Sequence, residues 1–213
     1  ADWRRQSLAD LSQTRFDIEG RRQYNAEALT FGEEALVLMV DDSVHNETSA
    51  WTLVLGAFQA GQIWPYRLTG PAFRQAQNAG GLGLVAEPEV IVVLSYLYDV
   101  TAHDFELVSG GLPRYREMIR ERLEWPLQEH LWDSGCQATV LNEGFADYRF
   151  SLVPCEMPPR PERILASAEV LRNDEALVRA LRGRLSQLKI SIQSLDRIID
   201  RVDNAISKLE AAH

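Results

Sequence analysis

Residues Val178 to Leu209 read VRALRGRLSQLKISIQSLDRIIDRVDNAISKL. Val178, Leu181, Leu185, Leu188, Ile192, Leu195, Ile199, Val202, Ile206 and Leu209 recur there at alternating steps of three and four. Arg, Asp, Ser, Gln and Lys fill most of the gaps, so one apolar stripe runs along a single long helix, as in a bundle core or a coiled-coil seam. Asn173 is the expected N-cap, ahead of Asp174 and Glu175. Gly183 is expected to mark a kink or a point of close packing.

A stripe of that length needs a cover. Leu8, Leu11, Ile18, Leu29 and the run from Leu36 to Val40 lie among Arg and Glu. They predict one opening helix from about Trp3 to about Val40, with Gly20 and Gly32 as places where it can bend. The expected arrangement is antiparallel packing of the two terminal helices within one molecule, and the alternative is pairing of the stripe with a second copy. Between them the predicted helices are short. Thr48 or Ser49 caps a helix through Trp51, Leu53, Val54, Leu55 and Phe58, and Pro71 opens one carrying Phe73. Asn78 to Gly81 is a turn, and Glu87-Pro88-Glu89 starts a helix expected to reach Val108. Pro113 opens the next, through Leu131, which Pro126 should kink or stop. Residues 133–161 change character: Thr139 to Leu141 and Tyr148 to Val153 have strand composition, and Met157 to Pro161 is a stiff connector. The expected fold is mainly α, a helical bundle of one domain over residues 1–213, with a small hairpin or irregular insertion at 133–161.

At 213 residues the chain can bury a core without metals or disulfides. Its 46% hydrophobic and 25% charged residues exclude disorder and fibrous repeats. A formal charge of −9 argues against nucleic acid as a partner. That charge has a location: Glu27 to Leu112 holds eleven acidic residues against Arg67 and Arg74 alone. A solvated acidic surface explains it, or a surface facing cations or a basic partner.

Motifs that carry chemistry are scarce. Gly80-Gly81-Leu82-Gly83 lacks the lysine of a P-loop, and no Gly-x-Ser-x-Gly elbow occurs. Asp99 and His103 stand four apart on a predicted helix, with Glu106 near, and Asp42 and His45 stand three apart. Neither pair is a Glu-x-x-His, which a carboxylate-bridged dimetal bundle needs twice, so no metal, cofactor or catalytic set is assigned. Arg74, Asn78, Asp99 and His103 are the polar groups of a candidate small-ligand pocket among the central helices, which Trp51, Trp64, Tyr66, Tyr96, Tyr98 and Trp125 could line. Cys136 and Cys155 bracket the insertion and form one disulfide or two thiols, depending on compartment.

The order of features resembles a group of uncharacterised bacterial proteins that carry one membrane-spanning helix before a helical C-terminal domain. The resemblance rests on Ala1-Asp2-Trp3-Arg4-Arg5, on Phe73 through Leu82 with its Asn78-Ala79-Gly80 turn, on Glu87 through Asp99, and on Leu171 through Glu175. Ala79 stands where the family has serine, and residues 133–161 have no counterpart. The resemblance implies a tether ahead of Ala1, a location on the periplasmic side of the inner membrane, and hence a disulfide. It brings no catalytic residue. The functional expectation is helix-mediated interaction or signal reception, with a homodimer or a protein as partner. The alternative is an enzyme or a small-ligand or metal-binding domain.

Overall fold

In the computed structural model, which describes residues 2–41, 44, 46–65, 68, 70–81, 87–101, 113–141 and 148–211, helices dominate. In chain order they are α1 (Asp2–Val40), α2 (Glu47–Ala60), α3 (Pro71–Asn78) and α4 (Pro88–Ser95), the last running into a π-helical segment, Tyr96–Thr101. After these come α5 (Arg114–Arg122), α6 (Trp125–Asp133), strands β1 (Gln137–Leu141) and β2 (Tyr148–Leu152), α7 (Pro161–Arg172) and α8 (Glu175–Ala211). The mainly helical bundle, with long antiparallel terminal helices, short middle ones and a hairpin in 133–161, is therefore present.

The terminal helices follow a strict seven-residue repeat. Leu181, Leu188, Leu195, Val202 and Leu209 are all buried, flanked by Leu185, Ile198 and Ala205. The seam thus takes Ile198 and Ala205, while Ile199 and Ile206 are only partly covered. A seven-residue period keeps a seam facing its neighbour over many turns. On α1 the facing line is Ser7, Leu11, Thr14, Ile18, Arg21, Ala28, Gly32, Ala35 and Met39, all buried.

Contacts group the chain into two compact units, each containing part of both long helices. Unit 1 comprises Ala1–Arg22, Pro65–Gly110 and Gln193–His213. Its core gathers Leu11, Ile18, Leu68, Phe73, Leu94, Leu97, Tyr98, Leu195 and Val202. The antiparallel pairing within it is marked by Arg4 Nη2 donating to Glu210 O, Arg15 bridging Asp203, and Arg22 bridging Asp196. These bridges are exposed and contribute little each, so the apolar seam is what holds the pair. The N-terminus of α3 has no cap of its own, since Gly70 has no side chain to offer. Asp10 supplies the acceptor from α1: Ala72 N donates to its Oδ2 at 2.8 Å. Replacing Asp10 by Ala removes the acceptor and the charge at that positive helix end, and is expected to cost about 1 kcal/mol in denaturant unfolding. At the other end, Gly80 has φ 66° and closes α3 with Gly81 N donating to Ala76 O, as the predicted turn requires.

Unit 2 comprises Gln23–Trp64 and Gly111–Ile192. Here Asn25 Nδ2 donates to Ser191 Oγ and Lys189 bridges Glu33, again antiparallel. Helix α2 is buried from Ala50 to Ala60 with only Thr52 less covered, as expected of a helix apolar on every side. Its N-cap is Asn46 rather than Thr48 or Ser49. Asn46 Oδ1 accepts from Ser49 N while Ser49 Oγ accepts from Asn46 N, so the serine is the return arm of a capping box. Asp174, not Asn173, caps α8, accepting from Leu177 N, and Asn173 instead ends α7. Pro126 stops one helix and opens the next, because α5 ends at Arg122 and Pro126 lies in the first turn of α6. The strands pair antiparallel, Gln137 opposite Leu152 and Leu141 opposite Tyr148. Cys136 and Cys155 are joined by a disulfide across the base of this hairpin. Both half-cystine carbonyls are tied to α2, by Gln59 Nε2 to Cys136 O and Trp51 Nε1 to Cys155 O.

Candidate functional site

The residues expected to form a pocket are dispersed. Arg74 and Asn78 lie exposed on α3, one turn apart, and Asp99 is exposed on the π-helical segment. His103 lies outside the described residues, as do Glu106, Asp42, His45 and Tyr66. The aromatics divide between the units. Tyr98 is buried in unit 1, stacked on Phe73 at 5.5 Å between centroids, and Tyr96 is exposed beneath the Arg201 guanidinium. In unit 2, Trp51 is buried, Trp64 packs edge-on to Tyr24 and Phe150, and Trp125 is exposed beside Trp132. These rings serve two cores and a surface. Among the described residues no group of three His, Cys, Asp or Glu side chains is placed to hold a metal.

The polar chemistry concentrates at the C-terminal end of α2. Arg184 Nε donates to Ala60 O and its Nη2 to Gln62 O, each at 2.9 Å. Arg116 Nη1 donates to Gly61 O at 3.0 Å and to Gln62 Oε1 at 2.9 Å. Two guanidinium groups therefore cap one helix, and their acceptors are carbonyl and amide oxygens. Burial, and next the charge of Arg116, push Arg184 down to about 10. Burial, then Arg120, lower Arg116 as well. The C-terminal end of a helix dipole supplies about half a negative charge, which leaves an excess of more than one positive charge in this partly desolvated place.

Arg184 also lines a pocket of about 370 Å³, with Arg114, Tyr115, Met118, Ala180 and Gly183 among its walls. Ala176, Arg179 and Gln187 complete it, and none of these lining residues is acidic. Gly183 is neither a kink nor a close contact, since a Cβ there would meet no atom within 4 Å and α8 runs through it unbroken. Its role here is to leave the pocket open.

A second pocket of about 370 Å³ lies between α6 and the proline-rich connector, lined by Pro126, Leu127, His130, Pro158, Pro159, Arg160 and Arg163. His130 Nε2 meets Glu156 O at 2.8 Å. Ser134 Oγ lies 3.0 Å from His130 Nδ1 and 3.1 Å from Nε2. An oxygen equidistant from both ring nitrogens at that range sits over the ring face, off the in-plane lone pair, so the imidazole is not aligned to take the hydroxyl proton. This pair is not an activated nucleophile.

The buried phenols give unit 1 and unit 2 a shared pH response. Burial raises Tyr24, Tyr98 and Tyr115 above the ordinary phenol range, and Tyr115 is held further by its 2.8 Å bond to Ala57 O. Above about pH 10 the unfolded chain releases these protons while the folded chain keeps them, so stability falls as pH rises. The opposite shift at Arg184 offsets part of that loss. An alkaline titration should show the phenolate absorbance of these three appearing together with loss of helical circular dichroism, not ahead of it.

No family model, curated protein or solved structure matches this chain. Sequence reasoning missed Arg116 and Arg184 because arginine in a helix reads as a solvated face. The available signal was the density of arginines at 114, 116, 120 and 122 and again at 179, 182 and 184.

Proposed function

We propose that this chain is the extracytoplasmic domain of a membrane-tethered bacterial protein and acts in signal reception or helix-mediated interaction, binding rather than catalysing. The observation that carries the reading is the Cys136–Cys155 disulfide at the base of the hairpin, because such bonds persist in oxidising compartments and are rare in the bacterial cytosol. Two further features support it. The long helices each contribute to both units, so a change of packing in one unit acts on elements that the other unit shares. The α8 stripe is buried within the single chain, which leaves the exposed Trp125 and Trp132 rather than the stripe for a protein partner or second copy.

No described helix is long and apolar enough to cross a membrane, so in this reading the tether lies ahead of Ala1. The test is protease accessibility of the full-length protein in its host. Spheroplasts with an intact inner membrane should lose the domain to added protease, while a cytoplasmic marker survives. Recovery of the undigested domain in the soluble cytoplasmic fraction would refute the reading.

A further inference from the structure

The arginine-lined pocket of unit 2 combines three properties that seldom meet on an acidic protein. First, Arg114, Arg179 and Arg184 line it and none of the lining residues carries a negative charge, in a chain whose net charge is −9. Second, the opening turns of two helices reach it: Arg114 and Tyr115 begin α5, and Ala176 and Arg179 belong to the start of α8. Asp174 and Glu175 already meet the positive end of α8, and Arg179 pairs with Glu175 at 3.3 Å at the exposed rim, so the guanidinium groups rather than the helix ends supply the pocket's field. Third, Arg184 is buried and already bonded to the carbonyls of α2, so its head is fixed before any ligand arrives. The neighbouring Arg116 adds charge that the α2 carbonyls offset only in part. Met118, Ala176 and Ala180 supply apolar wall, and the missing side chain of Gly183 leaves room for it to be used. The volume of about 370 Å³ falls at the small end of ligand sites, which run from about 300 to 1,000 Å³.

We propose that this pocket binds a small molecule carrying a dianionic oxygen head group, a phosphate or a pair of carboxylates, on a compact apolar body. The head group is held by Arg114, Arg179 and Arg184, and the body lies against Met118 and the two alanines. Planar guanidinium forks match phosphate and carboxylate oxygens in pairs, which is why arginine suits this role. The proposal rests on the reception reading for its biological sense, but the binding itself does not depend on compartment.

The experiment is isothermal titration of the purified chain at low salt with three probes: phenyl phosphate, inorganic phosphate and succinate. Phenyl phosphate is expected to bind with a dissociation constant of about 1 mM or below, and inorganic phosphate several-fold more weakly for want of an apolar body. Tighter binding of succinate would identify the head group as paired carboxylates. Gly183→Glu places a carboxylate at the pocket wall from a position where a Cβ meets no atom within 4 Å, and Arg179→Gln removes one exposed cation. Both should weaken the best probe by about tenfold or more with circular dichroism unchanged. Gly183→Ala, which adds no charge, should bind within a few-fold of the parent. Failure of all three probes to bind at about 10 mM, or binding to Gly183→Glu at parental affinity, overturns the proposal. Cytoplasmic recovery of the full-length protein with anion binding intact would sink the compartment reading alone.

Discussion

Gly56→Val is expected to unfold unit 2, or to cost it about 4 kcal/mol or more, out of a total stability of about 5–15 kcal/mol for domains of this kind. A Cβ at Gly56 would lie 2.5 Å from Phe31 O and 3.1 Å from Ala35 Cβ. The first of these is backbone of α1 and cannot rotate aside, so α1 and α2 must separate. That separation would loosen a contact built from small residues, with Ala28, Gly32 and Ala35 on α1 and Ala57 and Ala60 on α2 all buried. Gly32 shows the same crowding, since its Cβ would meet Leu185 Cδ2 at 2.6 Å and Ala60 Cβ at 2.9 Å. Gly183→Ala is the contrast. It sits inside the 37-residue α8 with open space around it, and should stabilise the protein by about 0.5–1 kcal/mol through helix propensity. Thermal and denaturant unfolding of the two variants, read by circular dichroism, should therefore move in opposite directions. Equal shifts would mean that α1 and α2 do not approach as closely as Gly56 indicates.

The second large effect is loss of the disulfide. The bridge closes a loop of sequence separation 19, for which chain entropy gives about 3 kcal/mol. Its native setting adds to the case, because Cys136 is buried and both cystine carbonyls accept bonds from α2. Glu27 ties the same hairpin to α1, accepting from Leu152 N at 2.7 Å and from Ser151 Oγ at 2.8 Å. The double variant Cys136→Ser, Cys155→Ser should thus lose about 3 kcal/mol in denaturant unfolding. Parent protein treated with reductant should follow the same curve. A shift below about 0.5 kcal/mol would show that the hairpin is held by its α1 and α2 bonds alone.

What the sequence disclosed and what it hid have a common cause. The α8 seam was legible because Leu181, Leu188, Leu195 and Leu209 are large and apolar against charged neighbours. Its α1 counterpart was legible only at Leu11, Ile18 and Met39, because the rest of that seam is Ser7, Thr14, Arg21, Ala28, Gly32 and Ala35, residues that hydropathy scores as polar or indifferent. Leu8, Leu29 and Leu36, which do score, are only partly buried. A seam of small side chains lets helices approach closely, and hydropathy does not register closeness. The site was hidden for a related reason. Buried Arg184 occupies an interior position on α8, one step from the stripe, and only the carbonyls of α2 explain it. Caps were misplaced by one to three residues because Asn46 and Ser49, like Asn173 and Asp174, are all competent cappers; Ser49 serves as the return arm of the Asn46 box, and Asp174 is also held by Arg122 from α5.

Hydrogen–deuterium exchange on the purified chain, with and without saturating phenyl phosphate, tests most directly whether unit 2 is the receiving part. Slowed exchange at residues 114–118 and 176–187, with the rest unchanged or altered only along α1 and α8, is the expected result. Slowed exchange confined to α3 and the π-helical segment, around Arg74, Asn78 and Asp99, or none anywhere, would contradict it.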